Sequence, residues 1–177
     1  MKSKSSIFVT LTAVFAAIYA VGVVVLAQIS FLPFQVRVAD ALLPLAIVFG
    51  WPAVIGLSIG AFVANVFGGL GPIDMFGGSM ANFLATFAAW RIARNRSKSW
   101  GLVGVTVEIL VVTLIVGSYL SYLFAIPLEV GWADVMLGSI IAIGILGSIL
   151  YFAVKERAAA LLKPYGLAQS NTNSKKR

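Results

Sequence analysis

Five polar side chains interrupt an otherwise apolar chain at spacings that a binding pocket could use. Arg37 and Asp40 stand three residues apart, Asn65 and Asn82 lie inside apolar runs, and Asp74 follows a glycine-rich stretch at 68–72. Together they supply a guanidinium, two carboxylates and two amides, groups that hydrogen-bond the edge of a polar ligand. Because burying such groups is costly unless they find partners, we expect them to face a shared interior. This pattern favours ligand recognition.

Catalytic chemistry has little support in the same sequence. The chain contains no cysteine and no histidine, so a thiolate nucleophile, a Ser-His-Asp triad and the usual Cys/His zinc site are excluded. The acidic residues are scattered over different loops, whereas an intramembrane enzyme normally concentrates acids or a metal set at one depth. No phosphate-binding G-x-x-x-x-G-K-[ST] motif occurs. We therefore predict no catalytic residue, no metal site and no cofactor, and expect any ATP hydrolysis in partner subunits.

The composition indicates whether the protein that carries these polar side chains is surrounded by water or by lipid. Of the 177 residues, 60% are hydrophobic and 11% are charged, against roughly 25% charged in a soluble globular domain. So little charge cannot cover a water-facing surface, and an all-α integral membrane protein is predicted. Breaks divide the chain into six apolar segments. The six segments cover approximately residues 7–30, 36–50, 52–67, 73–93, 100–124 and 132–154.

The charge distribution predicts how these segments thread the bilayer. Six crossings place both termini on one side, and with them 12 of the 13 basic residues, all except Arg37. The positive-inside rule assigns that side to the cytoplasm. We expect a multi-pass protein of a prokaryotic cell membrane, with residues 1–157 forming the substrate-binding domain and 158–177 a basic, disordered cytoplasmic tail. The basic excess is therefore attributed to topology, and no nucleic-acid partner is expected.

The region around the glycine-rich stretch is the least regular. Segments two and three are short, and Pro44 interrupts one of them. Broken spans of this kind are tolerated where the backbone lines a protein-enclosed cavity. The glycines at 68–71 are expected to form a tight turn, Gly77 and Gly78 to let the next helix start without bulk, and Asp74 to cap that helix. The stretch is thus predicted to form the mouth of a cavity.

Small residues recur at helical spacing in two segments. In segment three, Gly56, Gly60, Ala64 and Gly68 form a stripe that permits close helix packing, which we expect within the protein. Segment one carries two such rows, Ala13 with Ala17 and Ala16 with Ala20. Spacing alone leaves these rows open between internal packing and a partner protein.

Aromatic and acidic residues of segment five complete the candidates. Tyr119 and Tyr122 could stack on a flat ring, although aromatic residues near membrane interfaces are also ordinary anchors. Glu108 lies deeper, and we expect a structural or coupling role for it rather than a ligand contact. For Arg37 and Asp40, a structural ion pair remains as open as a pocket role.

The chain resembles a known transporter family in four motifs. They are R-V-x-D-A-L at Arg37–Leu42, A-N-x-F-G-G-L-G-x-x-D at Ala64–Asp74, G-S-x-A-N at Gly78–Asn82 and V-G-x-x-L-x-Y-L-F-x-x-P at Val116–Pro127. This pattern resembles the QueT-like queuosine-precursor transporters, which are substrate-binding S components of energy-coupling-factor (ECF) importers. The resemblance covers about residues 7–155.

The resemblance implies a six-helix bundle with an outward-facing pocket, a transmembrane coupling subunit and two cytoplasmic ATPases. Docking in the family uses A-x-x-x-A rows on the first helix, which match Ala13/Ala17 and Ala16/Ala20. Tyr119 and Ser139 stand where the family has acidic residues, which weakens the case for a cationic aminomethyl-deazaguanine. A neutral deazaguanine, queuine or another aromatic solute stays open. The alternatives are a stand-alone facilitator or scaffold and, less favoured, an intramembrane enzyme.

Overall fold

The computed structural model describes residues 4–30 and 36–162, and these ranges contain helices and turns but no strand. We number the six long helical elements α1 to α6. They are α1, Lys4–Val25; α2, a 3-10 helix Val38–Leu45 continued by an α-helix Ala46–Phe49; α3, Trp51–Gly68; α4, Pro72–Ala93; α5, Lys98–Phe124; and α6, which joins an α-helix Leu128–Ser139, a π-helix Ile140–Gly147 and an α-helix Ser148–Leu162.

Each predicted apolar segment corresponds to one of these elements, with differences at the ends. Segment one was expected to be continuous to residue 30, but α1 ends at Val25 and a separate turn of helix, Ala27–Ser30, follows. Helix α6 continues to Leu162, five residues beyond the predicted domain boundary at 157. The predicted break at 31–35 and residues 163–177 of the predicted tail lie outside the described residues.

The apolar lengths of the helices identify a membrane protein. Among the described residues, four stretches are long and apolar enough to cross a bilayer, namely Ser5–Val25, Trp51–Gly68, Lys98–Phe124 and Leu128–Lys155. Large hydrophobic side chains on them remain exposed, as at Val25, Phe67 and Leu137, which are each more than 60% exposed. Such surfaces suit lipid, because a soluble monomer rarely exposes contiguous apolar patches of this kind.

The short helix α2 occupies the centre of the bundle and contacts each of the other five helices. At about 2.0 Å per residue in the 3-10 part and 1.5 Å in the α part, its length is roughly 22 Å, less than the hydrocarbon thickness. Pro44 lies inside it, and proline cannot donate the backbone hydrogen bond of a regular helix interior. Protein surrounds this irregular backbone, which is the condition under which a membrane interior tolerates it.

The small-residue stripe of α3 packs against α1, as the sequence predicted. A Cβ atom added at Gly60 would lie 2.7 Å from the Ala16 carbonyl oxygen and 2.9 Å from the Tyr19 Cβ. A Cβ atom at Gly56 would lie 2.7 Å from the Phe15 Cβ. Real Cβ atoms do not approach this closely, so the two helices meet at distances that only glycine allows.

The α3–α4 turn depends on two of the glycines noted in the sequence. Gly69 and Gly71 have φ angles of 73° and 92°, a region that residues with a Cβ rarely enter. Pro72 then starts α4, where its missing N–H costs nothing. The predicted cap is wrong: Gly71 is the N-cap, and Asp74, in the first turn, makes no capping hydrogen bond because its side chain is directed to Tyr119.

Substituting Gly60 with alanine tests the α1–α3 contact. The new methyl group would meet the backbone of α1, so we expect the free energy of unfolding to fall by about 1–3 kcal/mol. Gly144→Ala is the matched control, since its nearest neighbour is the flexible Cδ1 of Ile109, 3.3 Å away. Thermal unfolding in detergent measures both variants. Equal melting temperatures for the two would contradict the packing described.

Candidate ligand-binding site

The site is centred on Arg37, a buried arginine that immediately precedes the 3-10 part of α2. Its charge interacts with the carboxylates of Asp40 and Asp74. Asp40 lies one turn further along, and its amide donates to the Arg37 carbonyl oxygen over 2.9 Å. A cation buried in a membrane bundle needs such counter-charges. Arg37 and Asp40, which the sequence suggested as an ion pair, therefore lie in a larger cluster that also includes Asp74.

Asp40 is held by α1 as well as by its own helix. The Tyr19 hydroxyl, on a fully buried side chain, donates a hydrogen bond of 2.5 Å to Asp40 Oδ1. The sequence analysis did not select Tyr19. Its signal was a lone phenol in the middle of segment one, away from the ends where membrane tyrosines usually lie.

A second tyrosine–aspartate pair forms at the start of α4. The Tyr119 hydroxyl donates to Asp74 Oδ1 over 2.8 Å, and Asn65 Nδ2 donates to the Asp74 carbonyl oxygen over 2.8 Å. The Tyr119 ring lies against Gly77, where an added Cβ would be 2.9 Å from Cδ1. The glycine pair after Asp74 therefore makes room for a tyrosine of α5, not only for the helix start.

A small cavity adjoins Arg37. It is lined by Arg37, Asp40, Asn82, Val112, Val116, Val135, Gly138 and Ser139. The space open to the centre of a water molecule is about 20 Å³, enough for roughly one water. The surrounding depression, counted out to open solvent, contains about 370 Å³ of empty space.

Asn82 is the amide side chain that lines this cavity. Its Nδ2 makes one long hydrogen bond of 3.5 Å, to the Leu57 carbonyl oxygen, while its residue is buried. Ser139 contributes from the last turn of the first part of α6, immediately before the π-helix. π-Helical turns are frequent at functional sites. The valines supply flat apolar walls on two other sides.

The predicted binding residues separate into two groups. Seven of the eight lie around Arg37: Arg37 itself, Asp40, Asn65, Asp74, Asn82, Tyr119 and Ser139. Tyr122, predicted as an alternative stacking residue, lies apart on the surface, with 75% of its side chain exposed. Three residues further along α5, its side chain is rotated by about 60° from that of Tyr119, which is enough to leave it exposed.

Glu108 is a further buried acid, one helical turn from the cavity residue Val112. Neither of its carboxylate oxygens has a hydrogen-bond partner among the described residues. Its charge interacts with that of Asp40, which connects it to the Arg37 cluster. Within the described ranges, no group of three or more acidic residues is placed to hold a metal ion.

The two small-residue rows of α1 have different surroundings. Ala16 faces α3 at Gly60, and Ala20, on the same row, is partly buried. Ala13 and Ala17 are exposed. The structure therefore assigns one row to internal packing and leaves the other on the surface.

Apolar helices long enough to cross a bilayer, with a small cavity between them that polar side chains help to line, define a helical membrane protein. The family model described as QueT transporter matches residues 9–156. The chain therefore belongs to the QueT transporter family, which confirms the resemblance seen in its motifs, and its role is membrane transport rather than catalysis. Comparison with curated proteins and with solved structures gave no significant match.

Replacing Tyr19 with phenylalanine tests the support of the cluster. The substitution removes the donor to Asp40 and leaves a buried carboxylate oxygen unsatisfied, which should lower the free energy of unfolding by about 1–3 kcal/mol. Tyr122→Phe removes the same hydroxyl from an exposed ring and serves as the control. The melting temperature in detergent should fall only for Tyr19→Phe; an equal response of both variants would contradict this role.

Proposed function

We propose that the chain is the substrate-capturing S component of an ECF-type importer and that its cargo is a small planar heterocycle, a queuosine precursor of the 7-deazaguanine type or a related compound. One observation carries this proposal. A guanidinium, two carboxylates and two amides converge beside a cavity inside the bundle of a QueT-family transporter. The alternative with different consequences is a facilitator that works without partners.

The chemistry of the site supports a flat polar ring. Asn82 and Asp40 line the cavity and offer an amide and a carboxylate to the hydrogen-bonding edge of such a ring. Val112, Val116 and Val135 offer apolar walls to its faces. Mostly apolar walls with a few placed polar groups are typical of small-molecule sites.

The size of the cavity supports an occluded state. Room for about one water molecule does not accommodate a two-ring heterocycle, so cargo entry requires that the cluster around Arg37 opens. The α3–α4 turn, which the sequence predicts to form the mouth, would supply hinges at Gly69 and Gly71, the two glycines with positive φ. Asp74 and Asn65 flank that turn, so its movement would also displace the hydrogen bonds that hold Tyr119.

The proposed topology has six crossings, with both termini in the cytoplasm of a prokaryotic cell. Charge supports it: the turn between α4 and α5 carries Arg94, Arg96 and Lys98, and the α3–α4 turn carries no charged residue between Gly68 and Pro72. Arg94 and Arg96 lie over the rings of Trp90 and Trp100, at 5.0 and 4.2 Å from their centroids. Arginine and tryptophan together are typical of a membrane interface.

Partner subunits are part of the proposal because the sequence contains no phosphate loop of its own. The exposed row Ala13/Ala17 on α1 supports docking of a transmembrane coupling subunit, since small residues let a second helix approach closely. Two cytoplasmic ATPase subunits would then supply the energy. A lipid bilayer is the remaining partner.

Ligand-dependent stability tests the cargo. Micromolar 7-deazaguanine should raise the melting temperature of the purified chain, because a ligand that binds only the folded state stabilises it by mass action. Asn82→Leu should abolish the shift, whereas Tyr122→Phe should leave it unchanged. A wild-type chain that responds to no planar heterocycle would contradict the proposed cargo.

Co-purification tests the partners. Ala13→Leu and Ala17→Leu place bulk on the exposed row, so each should sharply reduce recovery of coupling and ATPase subunits without lowering the melting temperature. Ala153→Leu makes the same change at an exposed position of α6 and should leave recovery intact. Transport of cargo by the chain alone in liposomes would favour the facilitator instead.

A further inference from the structure

Two hydrogen-bond acceptors on the Asp74 side of the Arg37 cluster are buried and have no donor among the described residues. They are Asn65 Oδ1 and Asp74 Oδ2, and each belongs to a side chain with 0% exposure. The opposite atoms of the same side chains are occupied, because Asn65 Nδ2 donates to the Asp74 carbonyl oxygen and Asp74 Oδ1 accepts from Tyr119. Both side chains are therefore oriented by partners while one acceptor on each remains open.

An unsatisfied buried acceptor is costly, and two on adjoining side chains need an explanation. The hydrogen bonds that fix Asn65 also fix the direction of its oxygen: a flipped amide would place the oxygen against the Asp74 carbonyl oxygen. Gly78 removes the bulk beside this pair, since an added Cβ there would lie 3.3 Å from the Tyr119 hydroxyl. The two acceptors are thus held in a prepared orientation.

The pair adjoins the cavity through Arg37. Arg37 lines the cavity, and its charge interacts with Asp74 as well as with Asp40. A cargo that displaced part of this cluster would come close to Asp74 and to Asn65, which is hydrogen-bonded to the Asp74 backbone. The ligand that satisfies two neighbouring acceptors must present two neighbouring donors.

We infer that Asn65 Oδ1 and Asp74 Oδ2 together read a donor–donor edge of the cargo, such as the ring N–H and adjacent amino group of a guanine-type heterocycle. This inference rests on the proposed function and assigns the specificity of the site. Hypoxanthine-type rings lack the amino group, and adenine-type rings place an acceptor nitrogen next to their amino group. Both would leave at least one buried acceptor without a donor, which is a strong basis for rejection.

Binding to the unmodified chain gives the first test. Calorimetry with deazaguanine, deazahypoxanthine and deazaadenine should show at least about tenfold weaker binding of the last two, the factor expected when a single hydrogen bond is lost. Equal affinities for deazaguanine and deazahypoxanthine would overturn the inference, as expected if a bound water serves the acceptors. Failure to bind any of the three would instead count against the proposed cargo, and the inference would fall with it.

Asp74→Asn gives the second test, because it keeps an oxygen for Tyr119 and replaces the open acceptor by an amide N–H₂. Affinity for deazaguanine should fall at least about tenfold, while affinity for deazaadenine should stay equal or rise, since its acceptor nitrogen now meets a donor. Glu129→Gln, an acid-to-amide change at an exposed position, should alter neither. An equal loss of affinity for all three heterocycles would overturn the inference. If Asp74→Asn does not fold, the comparison of the three heterocycles on the unmodified chain decides the inference.

Discussion

A guanidinium enclosed by membrane helices must be surrounded by compensating charge, and the arrangement around Arg37 follows from that requirement. Two carboxylates, Asp40 and Asp74, interact with it from different helices, and each is fixed by a tyrosine hydroxyl from a third and a fourth helix. Removing one partner of such a cluster leaves a buried charge uncompensated. The central position of α2, which carries Arg37 at its start, is therefore tied to the helices that supply those partners.

The frame that holds this cluster is made by small residues rather than by apolar burial alone. Lipid tails are as apolar as leucine, so helices in a membrane associate through close packing and polar contacts. Gly56 and Gly60 bring α3 onto α1 beside Tyr19, and Gly77 receives the ring of Tyr119. In both places a missing side chain allows a tyrosine to reach an aspartate. The same close helix contacts thus provide both the packing of the bundle and the tyrosine–aspartate hydrogen bonds.

Arg37 and its counter-charge Asp40 also line the cavity. The site has room for about one water molecule, and its side chains are hydrogen-bonded to one another or to their neighbours. A ligand can therefore enter only if the hydrogen-bond network rearranges. Glu108 lies one helical turn from the cavity residue Val112 and its charge interacts unfavourably with that of Asp40, so its environment would change with any rearrangement of the cluster. A transporter needs such a link between occupancy and shape, because cargo must be released on the other side.

Much of this protein could be predicted from its sequence. Composition identified a membrane protein, apolar lengths located six segments that match α1 to α6, and small-residue spacing predicted the packing of α3. The cost of polar groups in apolar surroundings selected five residues, and Asp40, Asn65, Asp74 and Asn82 of these gather around the fifth, Arg37. These predictions were possible because hydropathy, glycine spacing and isolated polar residues can be read from short stretches of sequence. In a bilayer, each of them directly limits which residues face lipid and which face other helices.

The remaining features depend on which helix faces which. Only the tertiary structure separated Ala16 from Ala13, placed Tyr122 on the surface, turned Asp74 from the helix cap toward Tyr119, and brought Tyr19 to Asp40. Each of these outcomes depends on the rotation of a helix about its axis and on partners distant in the chain. Spacing within one segment does not encode that rotation, because it is set by the surface of the neighbouring helix.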